Sequence, residues 1–190
     1  KQAIQLTDLS RYNFYIPANV KFLLPYYNLG RVMIKQDNVK AVKKLGDTIL
    51  RVRENDARGL YFKGFSLLRE EKYTEATELL EASIKIEPDF IDSYVDLSFV
   101  YEIIQEDFEK TKELLKPLVS EGTQNVFVIN NYVYAIIKLG EFDEAQKLLD
   151  AMPSDTNPNI YATRGLLEIA KGNLAKGKKL YERSEERRVG

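Results

Sequence analysis

The chain has 190 residues and a formal net charge of −1, and 44% of its residues are hydrophobic while 30% are charged. Because it has no basic excess, nucleic-acid binding is not expected as its main role, and no apolar run approaches the roughly 18–20 residues that cross a bilayer. Cysteine and histidine are absent, which excludes disulfides, thiolate metal sites and acid–base chemistry by histidine.

The first segment of the chain has apolar residues at helical spacing over residues 2–10. These residues are Ala3, Ile4, Leu6 and Leu9. We expect residues 1–22 to hold one helix followed by a connector. This helix would be the remnant of a repeat that precedes the repeats described next.

From residue 23 onward, a large apolar position recurs at nearly constant spacing. Its members stand 34, 34, 35 and 32 residues apart, at Tyr26, Leu60, Tyr94, Ile129 and Tyr161. A period of this length is typical of stacked supersecondary units, each too small to bury its apolar face alone. It predicts five repeats within residues 23–182, with the bounds 23–56, 57–90, 91–125, 126–157 and 158–182.

The second repeat indicates that each unit contains two helices. Leu60, Gly64 and Leu67 form one apolar stripe, the polar sequence REEKY interrupts it, and a second stripe begins at Ala76. The second stripe ends at Pro88, which lacks the N–H that a helix interior requires.

This pattern resembles the tetratricopeptide repeat, in which an aromatic residue, a Leu-Gly pair and a further aromatic residue precede Ala, a large residue and Pro. The second repeat matches at Leu60, Gly64, Leu67, Tyr73, Ala76, Leu80 and Pro88. The first matches at Tyr26, Leu29, Gly30 and Met33, and the third at Tyr94, Leu97, Ser98, Tyr101, Thr111 and Leu115. The fourth matches at Ile129, Tyr132, Ile136, Gly140, Phe142, Ala145 and Leu149, and the fifth at Tyr161, Gly165, Gly172, Leu174, Gly177 and Tyr181. The resemblance implies an all-α fold, a right-handed superhelical solenoid of antiparallel helix pairs.

Small residues in the pattern indicate places where helices approach closely. We expect Gly64 to face Ala76 in its partner helix, and Gly30 to be the close-approach point of the first repeat. Gly140 and Gly172 follow a first helix directly, where we expect a left-handed backbone that costs glycine little.

Several positions depart from the pattern. Pro117 falls inside the second helix of the third repeat and is expected to kink or shorten it, and the extra residue of that repeat is expected in its turn. The second helix of the fourth repeat is expected to stop near Met152. Arg164 and Glu168 replace apolar residues in the fifth repeat, which makes its first helix the weakest match.

In a tetratricopeptide-like array the first helix of each repeat faces a concave groove, so the resemblance implies a peptide-binding surface. The predicted groove residues are Tyr27, Asn28, Arg31, Arg58, Tyr61, Phe62, Phe65, Arg69, Asp96, Phe99, Asn130, Asn131 and Tyr134. The same register adds Lys35, Asp92, Val95, Glu102, Lys138, Thr163 and Leu166.

These residue types suit a peptide. Aromatic rings bury large areas at low entropic cost, amides can bond a peptide backbone, and arginines can hold a carboxylate through paired N–H bonds. Two alternatives stand beside this interpretation. The aromatic residues, Phe62 and Phe99 especially, pack between repeats, or the arginines only solvate the surface.

No motif of the chain indicates a catalytic or cofactor site. No Gly-rich phosphate loop follows a strand, and the carboxylate clusters are typical of solvated helix surfaces and first turns. We therefore expect no metal, no cofactor and no enzymatic activity. Arrays that clamp the acidic C-terminal tails of chaperones carry Lys and Asn one turn apart, where this chain has Tyr27 and Arg31, so we do not expect that partner.

The sequence favours a protein–protein interaction scaffold that binds a peptide or partner helix in the groove of the superhelix. The alternative is a regulatory or substrate-presenting region of a larger multidomain enzyme whose catalytic domain lies outside these residues. A third hypothesis is self-association, because cut ends of an array would expose apolar residues such as Leu174, Leu180 and Tyr181.

Both ends of the sequence look unnatural. The chain begins with Lys1 rather than Met, and RSEERRVG at residues 183–190 resembles the in-frame translation of a short-read sequencing adapter. We expect residues 183–190 to be an artefactual tail and the natural protein to continue past Glu182. The alternative is an ordinary charged tail that is compatible with a helix.

Overall fold

The computed structural model describes residues 15–17, 22–152 and 157–189, and the regular secondary structure in this part of the chain is entirely helical. The helices are α1 (Leu24–Lys35), α2 (Val39–Val52), α3 (Ala57–Arg69), α4 (Tyr73–Ile86), α5 (Ile91–Phe99), which continues as a π-turn (Val100–Ile104), α6 (Phe108–Ser120), α7 (Val126–Lys138), α8 (Phe142–Ala151), α9 (Pro158–Ala170) and α10 (Leu174–Val189). The predicted all-α class is confirmed for these residues, whereas the helix predicted over residues 2–10 lies outside them. None of the described helices combines the length and the apolar character that a membrane span requires.

The two helices of each pair are joined by three residues, and the middle one has a left-handed backbone. That residue is Asp37 (φ 52°), Glu71 (φ 61°), Glu106 (φ 52°), Gly140 (φ 84°) or Gly172 (φ 89°). The prediction for the two glycines is confirmed. In the first three repeats an acidic residue adopts the conformation that glycine takes at little cost, so the geometry of the connection does not depend on glycine.

Side chains fix where five of the helices begin. Asn38, Asp56, Asp107, Asn125 and Asn157 each accept a hydrogen bond from a backbone N–H in the first turn of the following helix. The first N–H groups of a helix have no partner inside it, so such a cap contributes about 1 kcal/mol. The caps thereby set the first residues of α2, α3, α6, α7 and α9.

The chain divides into two compact units between Leu97 and Ser98, called here the N-terminal and C-terminal halves. In the N-terminal half, α2 and α3 approach each other at two glycines. A Cβ atom on Gly46 would lie 3.1 Å from the carbonyl oxygen of Gly59 and 3.1 Å from the backbone nitrogen of Lys63. Helices of successive repeats therefore pack backbone against backbone here.

Gly64 lies where α3 meets its partner α4. A Cβ atom on Gly64 would lie 3.2 Å from Leu80 and 3.4 Å from Leu79. The partner helix is as predicted, and the side-chain atoms nearest this position belong to Leu79 and Leu80 rather than to the predicted Ala76. The nearest side chains belong to residues about one turn further along α4, because they extend back towards the N-terminal end of their helix.

Gly30 makes room for an aromatic ring. A Cβ atom on Gly30 would lie only 2.2 Å from Cζ of Phe62, and Phe62 itself is 1% exposed. Since α1 carries Gly30 and α3 carries Phe62, this contact joins the first repeat to the second. Gly30 is thus a close-approach point, as predicted.

In the C-terminal half, the last helix pair meets at Gly165 of α9 and Gly177 of α10. A Cβ atom on Gly165 would lie 3.0 Å from the carbonyl oxygen of Gly177, and one on Gly177 would lie 2.8 Å from the carbonyl oxygen of Gly165. The small residues of the fifth repeat therefore allow direct contact between two helix backbones.

The extra residue of the third repeat lies in its first helix. α5 has 9 residues and the π-turn has 5, whereas α3 has 13, and the connection to α6 keeps three residues. The N–H of Gln105 donates to the carbonyl of Val100 at 3.1 Å, the spacing of five that defines a π-turn. The expectation of an extra residue in the turn is therefore wrong, because the helix itself absorbs it.

Two further expectations concern the ends of second helices. α8 ends at Ala151 after 10 residues, in agreement with the prediction that this helix stops near Met152. Pro117 does not shorten α6, which continues to Ser120. Because Pro117 lies in the last turn of α6, its missing N–H costs the helix only one hydrogen bond. That bond would lie near a helix end where carbonyl groups are already unpaired.

The two polar substitutions in the fifth repeat have structural partners. Arg164 Nη2 donates to the carbonyl oxygens of Leu149 at 2.7 Å and Met152 at 3.3 Å, so Arg164 closes the end of α8. Glu168 accepts hydrogen bonds from Lys176 and Asn173. These residues replace apolar contacts with hydrogen bonds between neighbouring helices.

Replacing Gly30 with alanine is expected to lower the free energy of unfolding by about 2 kcal/mol, because the new methyl group would displace the buried Phe62 ring. The higher helix propensity of alanine offsets about 1 kcal/mol of the steric cost. Chemical denaturation measures the effect, with Gly64→Ala as the matched control because its nearest side-chain carbon would be 3.2 Å away. A Gly30→Ala protein as stable as the Gly64→Ala protein would contradict this packing.

Candidate functional site

In the N-terminal half, Arg58 is held between two aromatic rings. Its guanidinium carbon lies 4.9 Å from the ring centroid of Tyr27 and 5.1 Å from that of Phe90, and Nη2 donates to Glu87 Oε1 at 2.9 Å. The hydroxyl of Tyr27 donates to Asp56, which also caps α3. Burial and this carboxylate raise the pKa of Tyr27. Helix α1 thus meets α3 through an ordered stack of rings and charges.

Two predicted groove aromatics are buried. Tyr61 is 5% exposed and Phe62 is 1% exposed. The Tyr61 ring meets Phe90 edge-on at 5.0 Å and lies 6.3 Å from the Phe65 ring. The prediction that Tyr61 and Phe62 offer a groove surface is therefore corrected: Phe62 fills the space above Gly30, and Tyr61 supports the half-buried Phe65 from beneath.

The predicted groove arginines pair with acids of the chain itself. Arg31 lies 3.9 Å from Asp92 and Arg69 lies 2.8 Å from Asp37, while Arg58 binds Glu87 as described above. Each arginine would have to leave such a partner to bind an acidic ligand. Asn28, between Tyr27 and Arg31 on α1, is exposed.

Asp96 contributes an unpaired acceptor to the same half. Its Oδ2 atom is buried and has no hydrogen-bond partner among the described residues. Burial raises the pKa of this carboxyl to about 7, and the charge of Asp92 acts in the same direction, against opposing effects of Tyr61 and Arg69. The Nε atom of Arg58 is likewise buried without a partner there.

In the C-terminal half, four polar side chains connect three first helices. Asn131 Nδ2 donates to Ser98 Oγ at 2.8 Å, Asn130 Nδ2 donates to Asn131 Oδ1 at 3.4 Å, and Thr163 Oγ1 donates to Asn130 Oδ1 at 2.7 Å. The predicted groove amides therefore use part of their hydrogen-bonding capacity between repeats. Each amide group has further donor or acceptor capacity beyond these bonds.

Two predicted groove aromatics remain accessible in the C-terminal half. Phe99 is 44% exposed, so it does not pack away between repeats. Tyr134 is half-buried, and its ring meets Phe108 edge-on at 6.0 Å. The ammonium of Lys138 lies 5.2 Å from the Phe108 ring centroid. This half therefore presents an aromatic surface bordered by the amide chain of Asn130 and its neighbours.

Residues 57–90, which contain α3 and α4, match the family model of the tetratricopeptide repeat. The fold resembles that of YrrB, a tetratricopeptide-repeat protein, with 17% identity and a TM-score of 0.63 over 88% of this chain and 87% of that one. It also resembles TTC0263 from Thermus thermophilus, with 19% identity and a TM-score of 0.68 over 87% and 91% of the two chains. MamA from Desulfovibrio magneticus RS-1 gives 15% identity and a TM-score of 0.64 over 86% and 93%. No curated protein sequence matches the chain.

The chain carries a tetratricopeptide repeat and has the fold of that family. At these identities, the likeness to the solved structures concerns the fold alone. Within each half, contacts between neighbouring first helices include those of Tyr27 with Arg58, of Asn131 with Ser98 and of Asn130 with Thr163.

Residues that the register does not mark complete the site. Asp56, Glu87 and Phe90 lie in the connections between successive repeats, yet they hold Tyr27, Arg58 and Tyr61 in place. Asp56 carries a sequence signal, since an acidic residue directly before an apolar helix is a typical cap. Nothing in the spacing marks Phe90, because it stands outside both helical stripes.

The free energy of unfolding of the N-terminal half is expected to fall as pH rises from about 4 to about 7. In this pH range Asp96 keeps its proton in the folded state, whereas an aspartate of the unfolded chain has lost it. The folded-state pKa of about 7 sets the upper end of this window. Asp96→Asn should match the wild type near pH 4 and exceed its free energy of unfolding by about 2 kcal/mol near pH 8.

Urea unfolding at the two pH values measures this difference. Asp89→Asn is the matched control, because it removes an exposed carboxylate from the same half. An Asp96→Asn protein whose stability changes with pH as the wild type does would contradict the assignment.

Proposed function

We propose that this tetratricopeptide-repeat chain is a protein-interaction scaffold whose first helices hold an extended peptide or a partner helix. In the N-terminal half the proposed contact residues are those that are accessible or have unused polar atoms, namely Tyr27, Asn28, Arg58, Phe65 and Asp96. In the C-terminal half they are Phe99, Asn130, Asn131 and Tyr134. Arg31 and Arg69 would contribute only if a ligand replaced their acidic partners.

The observation that carries this proposal is a pair of unused polar atoms. Arg58 Nε, a donor, and Asp96 Oδ2, an acceptor, are both buried without partners among the described residues. Each unmet bond costs roughly 1–3 kcal/mol, which a ligand regains if it supplies the missing group. A peptide carries one acceptor and one donor on nearly every residue, so its chemistry suits both atoms.

The aromatic residues beside these atoms are rigidly supported. Phe65 rests against the buried Tyr61, and Arg58 is fixed by Tyr27, Phe90 and Glu87. Side chains that are already ordered lose little entropy when a ligand binds. The N-terminal half therefore offers a surface that would bind without large rearrangement.

One structure of similar fold bears on the class of ligand. YrrB is described as having an unusual peptide-binding site. Fold does not fix function, and at 17% identity the residues of that site do not transfer to this chain. The likeness supports a peptide as the class of ligand, and the contacts proposed here rest on this chain's own side chains.

Phe65→Ala is expected to weaken peptide binding roughly tenfold, because removing a well-supported aromatic anchor costs more than about 1 kcal/mol. Peptides selected from a random phage-displayed library on the full chain are the probes, and fluorescence anisotropy measures their affinity. Ile86→Ala is the matched control, since it truncates an apolar residue that is 45% exposed on the second helix α4.

The control variant should bind the selected peptides as the wild type does. Thermal unfolding of both variants separates loss of contact from loss of fold, because Phe65 also touches Tyr61. The proposal fails if no peptide is selected, or if the two substitutions weaken binding equally.

A further inference from the structure

Glu102 carries a buried carboxyl group in the C-terminal half. It lies in the π-turn and is 7% exposed. Its Oε1 atom is buried and accepts no hydrogen bond among the described residues. Burial is the sole cause that raises its pKa to about 8, so no neighbouring cation of the described chain offsets the burial.

The π-turn places Glu102 at this position. In four repeats the last residue of the connection donates its N–H to a carbonyl five residues earlier, at Met33, Leu67, Ile136 and Glu168. In the third repeat Asp107 donates to Tyr101, six residues earlier, at 2.8 Å. The extra residue therefore lengthens the backbone between the buried Tyr101 and the end of the connection, and Glu102 is buried directly after Tyr101.

Glu168 is the internal comparison for Glu102. It is 8% exposed, but Lys176 Nζ donates to it at 2.7 Å and Asn173 Nδ2 at 2.9 Å. The hydrogen bond from Lys176 holds the pKa of Glu168 below its usual range. Where the chain buries a carboxylate for its own packing, it supplies donors, whereas it supplies none to Glu102 Oε1 within the described residues.

The residues around Glu102 suit an aliphatic stem. Phe99 is 44% exposed and stands three residues before Glu102, a spacing that places two side chains next to each other on a helix surface. Across from them on α7 is the half-buried Tyr134, whose pKa is raised by burial and then by the charge of Glu102. Aromatic side chains therefore border the carboxyl group of Glu102.

The lysines near this site are engaged elsewhere. The ammonium of Lys110 lies 5.6 Å from the Tyr101 ring centroid and 3.2 Å from Asp107. The ammonium of Lys138 lies over the Phe108 ring. Neither lysine is paired with Glu102 among the described residues.

We propose that Glu102 anchors a lysine or arginine side chain of the bound peptide, with the stem of that side chain lying against Phe99. This inference rests on the proposed peptide-binding function and adds the chemistry of one ligand residue. The ammonium or guanidinium donates charge-assisted hydrogen bonds to the carboxylate, and its charge also favours the ring of Tyr134. An acidic or phosphorylated ligand would gain no such pairing at Glu102.

The test selects phage-displayed random peptides on the full wild-type chain, on Glu102→Gln and on Glu106→Gln. Glu106→Gln removes an exposed carboxylate four residues away and controls for overall charge. We expect lysine or arginine to be enriched at one peptide position with the wild type and with Glu106→Gln. That enrichment should be lost with Glu102→Gln.

One selected peptide is then synthesised with arginine, lysine or citrulline at the enriched position, since citrulline is a neutral isostere of arginine. The wild type should prefer the better basic version over citrulline by roughly tenfold, and Glu102→Gln should show no preference. The lysine and arginine versions distinguish an ammonium from a guanidinium ligand. Glu102→Leu, which replaces the buried carboxyl with an apolar side chain, should fold at least as stably as the wild type and also lose the preference.

Citrulline binding equal to both basic versions, or basic enrichment that survives in Glu102→Gln, would overturn the assignment. Peptides that depend on Phe65 but have no preferred basic residue would overturn it while leaving the proposed function intact. If no peptide is selected at all, both proposals fail.

Discussion

Backbone contact between α2 and α3 sets the arrangement of the N-terminal half. Because Gly46 and Gly59 lack side chains, the two helices approach until backbone atoms are in contact. At that separation Phe62 of α3 fits above Gly30 of α1, and α1 lies close enough for Tyr27 to reach the second repeat. The proposed binding residues therefore depend on small residues that are not part of the surface.

The polar groups that remain available to a ligand are not the ones that the sequence predicts. Arginines at groove positions predict a site for acidic groups, but Arg31, Arg58 and Arg69 each lie against an acid of the chain. Such acids stand in connections or at helix starts. The polar atoms left without partners include one carboxylate oxygen in each half, on Asp96 and on Glu102, and a carboxylate recruits donors rather than acids.

Periodicity predicted the helical class and the left-handed glycines because both follow from local spacing. It did not predict how deeply a stripe residue is buried. Tyr61 and Phe65 stand on the same stripe, yet Tyr61 is 5% exposed while Phe65 is half-buried. The difference arises from Phe90, which closes over Tyr61 from the connection to the next repeat. Contacts between repeats, which no single stripe encodes, therefore decide which predicted residues form a surface.

The position of the extra residue in the third repeat has a chemical consequence. An additional residue in the connection would have lengthened a loop and left the helix faces unchanged. Within the helix, it changes which side chain follows Tyr101, since each residue advances an α-helix by about 100°. Glu102, which directly follows Tyr101 in the π-turn, is buried. Since an unpaired buried carboxyl costs free energy, a partner that supplies a cation would relieve that cost, and the irregularity in the repeat links the fold to the ligand chemistry proposed above.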